Sequence, residues 1–206
     1  MTDRPITFSP PMVRAILREI EQPGTGKTQT RRALREDERP RYAVGDRLWV
    51  REAWSGRCEF RDVPPAKRES FATPDGPILR EDIWYWADGA PETGDYERPR
   101  PPLFMPRWAS RITLIVGSVR VERLQDISEE DAIAEGMTQE TADAFMCPEE
   151  LAVFASAHIL CPDSMARIMF ETYWDRMHGR GAWDRNPRVA VYGFQPVLAN
   201  IDALEG

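Results

Sequence analysis

Residues 24–32 read Gly24-Thr25-Gly26-Lys27-Thr28-Gln29-Thr30-Arg31-Arg32, and the fold turns on what this stretch is. A phosphate-cradling loop would need a glycine at position 21 and a strand leading into it. Position 21 is Glu21, and residues 11–20 read as helix rather than strand: Met12, Ala15, Ile16 and Glu19 recur at helical spacing, with Pro11 at the start. ATP binding on a doubly wound sheet is therefore set aside. Pro23, Gly24 and Gly26 end the helix, and the basic segment after them belongs to another architecture.

Working outward, Pro5 to Phe8 predicts a short first strand. Gly45-Asp46 predicts a turn feeding a strand over 47–52, where Leu48 and Val50 alternate with Arg47, Trp49 and Arg51. Over 109–124, Ile112, Leu114 and Val116 alternate, then Val119 and Val121, with a change of phase at Gly117 that predicts a bulge or turn. Ser128 before Glu129, Glu130 and Asp131 is a helix start with acids in the first turn, and Gly136 closes that helix. Further helices are expected over 148–157 and 163–177, the second with Met165, Ile168, Met169 and Tyr173 as its apolar stripe, followed by a closing strand over 189–194. Residues 55–106 read as a long irregular insertion with a hairpin near 83–87. Helices set among strands without regular alternation predict an α+β fold, a single domain over 1–206 with extra helices at 148–178.

Composition narrows the class. With 42% hydrophobic and 30% charged residues the chain is an ordinary globular one. It has no apolar run of membrane-crossing length, and Asp3 and Arg4 interrupt the first residues where a secretory signal would be apolar. The expectation is a cytoplasmic protein with no membrane partner. Cys58, Cys147 and Cys161 are few, odd in number and lack a C-x-x-C pair, which predicts reduced thiols. His158 and Cys161 have metal-ligand chemistry but no completing partners at usual spacing, so no metal is expected. His178 is read as facing the terminal carbonyls of its helix, and Trp174 and Trp183 as packing residues.

Charge is unevenly spread. Net charge is −7, which disfavours a nonspecific nucleic-acid coat. Residues 14–41 nevertheless carry eight basic against five acidic side chains, and residues 121–160 ten acidic against the one base Arg123. One face is expected to greet an anion while the molecule stays acidic. Lys27 and Lys67 are the only lysines among 27 basic residues, and a lysine, unlike an arginine, can give up its proton.

The run Gly26 to Arg32, then Gly45-Asp46 before a strand ending Val50-Arg51-Glu52, then Glu129 to Met137 (EEDAIAEGM), resembles in content and order the ASCH family, a branch of the PUA-like β-barrels. Met105 to Ile112 and Val119 to Met137 are also similar to ASCH-type proteins carried by phages and prophages. The resemblance implies a PUA-like barrel with flanking helices and the 55–106 insertion. Some bacterial members are amidohydrolases that deacylate N4-acetylcytidine with a lysine, a threonine three residues on and a glutamate before a Gly/Asn-Met pair; carried over, these are Lys27, Thr30 and Glu135. Arg31, Arg51 and Trp49 are suited by charge and stacking to orient a base or phosphate, and with Arg32 and Glu52 they are the candidate substrate-binding residues; the expected partner is a modified nucleoside or RNA, with neither metal nor organic cofactor.

That chemistry is physically coherent. A threonine hydroxyl needs a base to take its proton, and a lysine disfavoured as ammonium by burial or by adjacent cations can serve. Glu135 would protonate the leaving amine, which requires a raised carboxyl pKa. If residues 27–30 form a strand, however, positions 27 and 30 face opposite ways, so the reading requires a bend. Three other readings stand beside it: a noncatalytic RNA or modified-base binding module relying on Arg31, Arg32 and Arg51, a ribonuclease, and a phage structural or accessory protein. In the plainest alternative, Lys27, Thr30 and Glu135 are surface polar residues.

Overall fold

The computed structural model describes residues 2–58, 61–65, 67, 72–73, 76–77, 82–92, 94–147, 151 and 165–204. The strands are β1 (Asp3–Thr7), β2 (Gln29–Ala33), β3 (Arg47–Arg51), β4 (Trp54–Gly56), β5 (Ala72–Thr73), β6 (Gly76–Pro77), β7 (Ile83–Tyr85), β8 (Thr113–Arg123) and β9 (Arg188–Val197). The helices are α1 (Pro10–Glu21), α2 (Glu129–Ala134), α3 (Gln139–Phe145) and α4 (Met165–His178). The chain is α+β, with a mixed five-stranded sheet in the order β1-β3-β8-β9-β2. Strands β1 and β2 lie at its edges, so the described strands do not close into the expected barrel. Local alternation had indicated strands without indicating closure, which depends on pairings far apart in sequence. Among the described residues no helix is long and apolar enough to cross a membrane.

Two compact units make up the chain: Met1–Arg14, Arg47–Ile115 and Val197–Gly206 form unit 1, and Ala15–Asp46 with Val116–Pro196 form unit 2. In unit 1, β1 runs parallel to β3 in the register Asp3↔Arg47 to Thr7↔Arg51, and the first residues of β8 run antiparallel to β3. Ile6, Leu48, Val50, Ile112 and Leu114 are buried there. Within the insertion, Ile83–Tyr85 pairs with Trp54–Gly56 rather than turning back on itself, which replaces the hairpin expected near 83–87. A short 3-10 turn follows over Trp86–Asp88. Trp54, Ile83, Tyr85, Met105 and Ala109 pack as one apolar cluster.

In unit 2, β2 pairs antiparallel with β9 from Gln29↔Gly193 to Ala33↔Val189. The alternation break at Gly117 falls inside β8, which continues through it. Helix α2 begins where the sequence indicated: the Ser128 hydroxyl accepts the Asp131 N–H at 3.1 Å. It ends at Gly136, whose φ of +87° suits glycine. There the Gly136 N–H reaches the Ile133 carbonyl and the Met137 N–H the Ala132 carbonyl, a Schellman termination. Helix α4 starts under the Glu129 carboxylate, which accepts the Ala166 and Arg167 N–H groups at 2.7 and 3.0 Å. Trp174 and Trp183 are buried as expected, and the His178 ring stacks on Trp174 at 4.1 Å between centroids. The helix expected over 148–157, with His158 and Cys161, lies outside the described residues.

Candidate functional site

The segment before β2 is stitched into unit 2 by its backbone. Lys27 N–H donates to the Ala15 carbonyl of α1 and Thr28 N–H to the Ala134 carbonyl of α2, each at 2.9 Å, while Phe194 N–H of β9 donates to Thr28. Two glycines permit this closeness. A Cβ on Gly26 would lie 2.3 Å from the Ala15 carbonyl oxygen and from the Glu19 nitrogen. One on Gly136 would lie 2.9 Å from the Ala15 Cβ and 3.1 Å from the Lys27 Cβ.

Lys27 is thereby buried, with a side chain 2% exposed. Its Nζ donates to the backbone oxygen of Glu135 and to Oε2 of the same residue, both at 2.7 Å. The ammonium thus meets the C-terminal end of α2 and a carboxylate together, an arrangement favoured by the helix dipole as well as by charge. Burial holds the Lys27 ammonium below the ordinary lysine range; Glu135 opposes that shift, and Arg32 and Arg31 add to it.

Arg31 completes the cluster. Its guanidinium donates through Nη1 to Glu135 Oε1 at 3.1 Å, and through Nη2 to Glu122 Oε1 at 2.7 Å and Asp131 Oδ2 at 2.8 Å. The Arg31 side chain is fully buried, the Phe170 ring lies 5.8 Å from its Cζ, and its Nε has no hydrogen-bond partner among the described residues. Nearer the surface, Arg120 bonds Glu122, Asp131 and the Gln29 side-chain oxygen. Three cations and three carboxylates alternate from the buried amine to the half-exposed Arg120. Asp131 is pushed up by burial, yet bonds from Arg120, Gln29 and Arg31 bring it below the usual carboxylate range.

Of the residues singled out from sequence, Lys27, Arg31 and Glu135 meet in this cluster. Thr30 is buried and pairs with Tyr192. Strand alternation sends Gln29 and Arg31 to one face and Thr30 and Arg32 to the other, and among the described residues no hydrogen bond joins the Thr30 hydroxyl to Lys27 or Glu135. Trp49, Arg51 and Glu52 belong to unit 1. There the Arg51 guanidinium lies 4.5 Å from the Trp49 ring centroid, and Glu52 is gripped by both ends of the Arg111 fork at 2.9 and 3.0 Å.

Sequence reading passed over Gln29, Arg120, Glu122 and Asp131 as site residues. The signal was present in the opposite charge balances of residues 14–41 and 121–160. Rather than presenting a face to an external anion, Lys27 and Arg31 from the first segment are matched by Glu122, Asp131 and Glu135 from the second. Arg18 is likewise paired with Glu140.

Comparison of the chain with protein-family models, with curated proteins and with solved structures gives no match.

Proposed function

We propose that unit 2 hydrolyses an amide on a modified pyrimidine nucleoside, of the N4-acetylcytidine kind, on a PUA-like ASCH scaffold in the cytoplasm of a phage- or prophage-bearing cell. The reading rests on one observation above the others: a buried lysine, held below its ordinary range by burial, sits 2.7 Å from a carboxylate. An amine in that state is suited to take a proton from a nucleophile and return it to a leaving amine. Neither metal nor organic cofactor enters the proposed chemistry.

The test is to incubate the protein with N4-acetylcytidine and follow cytidine release. Lys27→Met is expected to abolish release, and so is Thr30→Ala if the hydroxyl is the nucleophile. Release that survives Thr30→Ala but not Lys27→Met moves the nucleophile to water activated by Lys27. No release by the wild-type chain from N4-acetylcytidine or a panel of related acylated nucleosides ends the hydrolase reading.

One observation favours a second reading. The register of β2 directs Thr30 away from the face of Arg31, as suits a noncatalytic module for RNA or a modified base, in which Thr30 is dispensable. Salt-sensitive RNA binding lost in Arg32→Ala and kept in Thr30→Ala would support it.

A further inference from the structure

Strand β8 outruns its partner on one side. Its pairing with β3 ends at Ile115, and in unit 2 the Gly45–Asp46 turn makes the last bonds on that side: Val116 N–H donates to Asp46 at 2.9 Å and Gly45 N–H to Val116 at 2.8 Å. Among the described strands, β9 is the only neighbour of β8 from Gly117 to Arg123. The direction of each backbone group there follows from the ladder. Phe194 N–H donates to Thr28 and Arg188 accepts from Leu34, so even-numbered residues of β9 address β2 and odd-numbered ones address β8. Leu124 N–H donates to Pro187. Alternation back from Leu124 puts Glu122, Arg120 and Ser118 on the β9 side, and turns the N–H and C=O groups of Val121, Val119 and Gly117 the other way. Arg123 also turns that way, and its N–H is taken by the Asp126 carboxylate at 3.3 Å. Val116 and Gly117 thus address the same side, which is the change of phase seen in the sequence. Among the described residues no bond from outside the sheet reaches the backbone of Gly117, Val119 or Val121, and Val121 is 41% exposed. A strand edge in that state is a template for another strand.

The side chains select which strand. Arg120 and Glu122 stand on one face of β8 and both are partly exposed. When two copies of β8 meet antiparallel about a two-fold axis at Val121, each Arg120 lies directly opposite Glu122 of the other copy, at non-hydrogen-bonded positions where facing side chains come closest. An axis at residue 120 would oppose two arginines, and one at residue 122 two glutamates. We propose that the free edge of β8 is a homodimer interface, at which a second copy of this chain adds its own β8 antiparallel about Val121 and continues the sheet of unit 2. Val121 exchanges two backbone bonds with Val121 of the other copy, and each Val119 N–H donates to the Arg123 carbonyl opposite. Two facing Arg120–Glu122 pairs fix the register. The contact closes on itself, so assembly stops at two.

Sedimentation equilibrium of the full chain is the test. The wild type is expected to move with rising concentration from 23.6 kDa toward twice that mass. Val121→Pro removes an N–H that faces the free edge and spares the ladder to β9, so it is expected to hold the chain at the monomer mass. Ala33→Pro does the equivalent on the outer side of β2, where Leu34 and not Ala33 bonds Arg188, and is expected to dimerise as the wild type does. Urea midpoints report whether each variant is folded. If Val121→Pro is not, Val121→Lys replaces it: two ammonium groups then face each other at the axis, and association is expected to weaken by roughly tenfold or more. Arg120→Gln reads the register, because loss of two facing ion pairs is expected to weaken association by about threefold or more, whereas unchanged or tighter association overturns the assigned pairing. A wild type that stays at 23.6 kDa at every concentration, assembly beyond two copies, or a dimer indifferent to the substitution at Val121 overturns the proposal. Equal loss of the dimer in Val121→Pro and Ala33→Pro overturns it as well, since the outer side of β2 takes no part in the pairing.

Discussion

Glu52 in unit 1 and Glu135 in unit 2 are both buried against an arginine, and the two settings solve the same electrostatic problem differently. In unit 1, Glu52 receives both ends of the Arg111 fork, and Arg111 also bonds Asp88 at 2.7 and 2.8 Å and lies 4.1 Å from the Tyr85 ring centroid. Burial raises Glu52 above the usual carboxylate range in spite of Arg111, and the bonds to Asp88 and Glu52 lift Arg111 well above its own range in spite of burial. In unit 2, Glu135 is shared between an arginine and a lysine, and burial shifts the lysine toward losing its proton. In unit 1 burial therefore acts on the acid, drawing Glu52 toward its protonated form beside an arginine that keeps its charge. In unit 2 burial acts on the base, drawing a lysine toward a neutral form that an arginine does not reach.

The comparison is broken most forcefully at Lys27. Lys27→Met leaves Glu135 with one partner in a dry setting and is expected to lower stability by about 3–5 kcal/mol, read from the urea midpoint. Lys27→Met combined with Glu135→Leu is expected to recover most of that loss, since the desolvation of both charges disappears together. Full retention of stability in the single variant would mean that water reaches the pair.

Arg111→Met in unit 1 is expected to cost less, about 2 kcal/mol, because Glu52, already raised by burial, can take up a proton and end as a neutral acid, while solvent replaces Arg111 at the partly exposed Asp88. The same urea titration checks it, and a loss as large as that of Lys27→Met would erase the distinction between the two sites.

The smallest effect is one of sign. Asp131, lowered from its ordinary value of 3.8, leaves the unfolded chain holding more protons between the two values. Its contribution is present above pH 3.8 and is lost as pH falls through the lowered value. Glu52, raised from 4.5, runs oppositely: its contribution is complete below pH 4.5 and is lost as pH rises through the raised value. Stability measured against pH should therefore show a smaller acid-side drop in Asp131→Asn, with Asp3 and Asp175 still contributing, and a smaller decline above pH 4.5 in Glu52→Gln, with Glu171 still contributing. The same response in both variants would contradict the assigned directions.

What could be read from the sequence follows the range of the forces involved. Helix α2 was legible at both ends because its signals are local: a hydroxyl at Ser128 and a glycine at 136 act within a turn of themselves. Strand β3 was legible from the alternation of Leu48 and Val50. The pairing of Ile83–Tyr85 with Trp54–Gly56 was not, because nothing near residue 83 specifies a partner so far back along the chain. Lys27 and Glu135 were nameable as a pair, but Arg31 was read as a residue for an outside anion, since composition counts charges without saying which of them meet. Thr30 shows the sharpest limit: a one-residue difference along β2 decides which face a side chain takes.

The depth of Lys27 depends on atoms that are not its own. Where any other residue would carry a carbon, Gly26 and Gly136 carry hydrogens, against Ala15, Glu19 and Lys27. A descendant of this chain could retain the amine and its acid letter for letter and still lose the buried pair, its lysine pushed outward into water by a single methyl group elsewhere. In judging which sequences share this centre, the vacancies around the paired letters count as much as the letters.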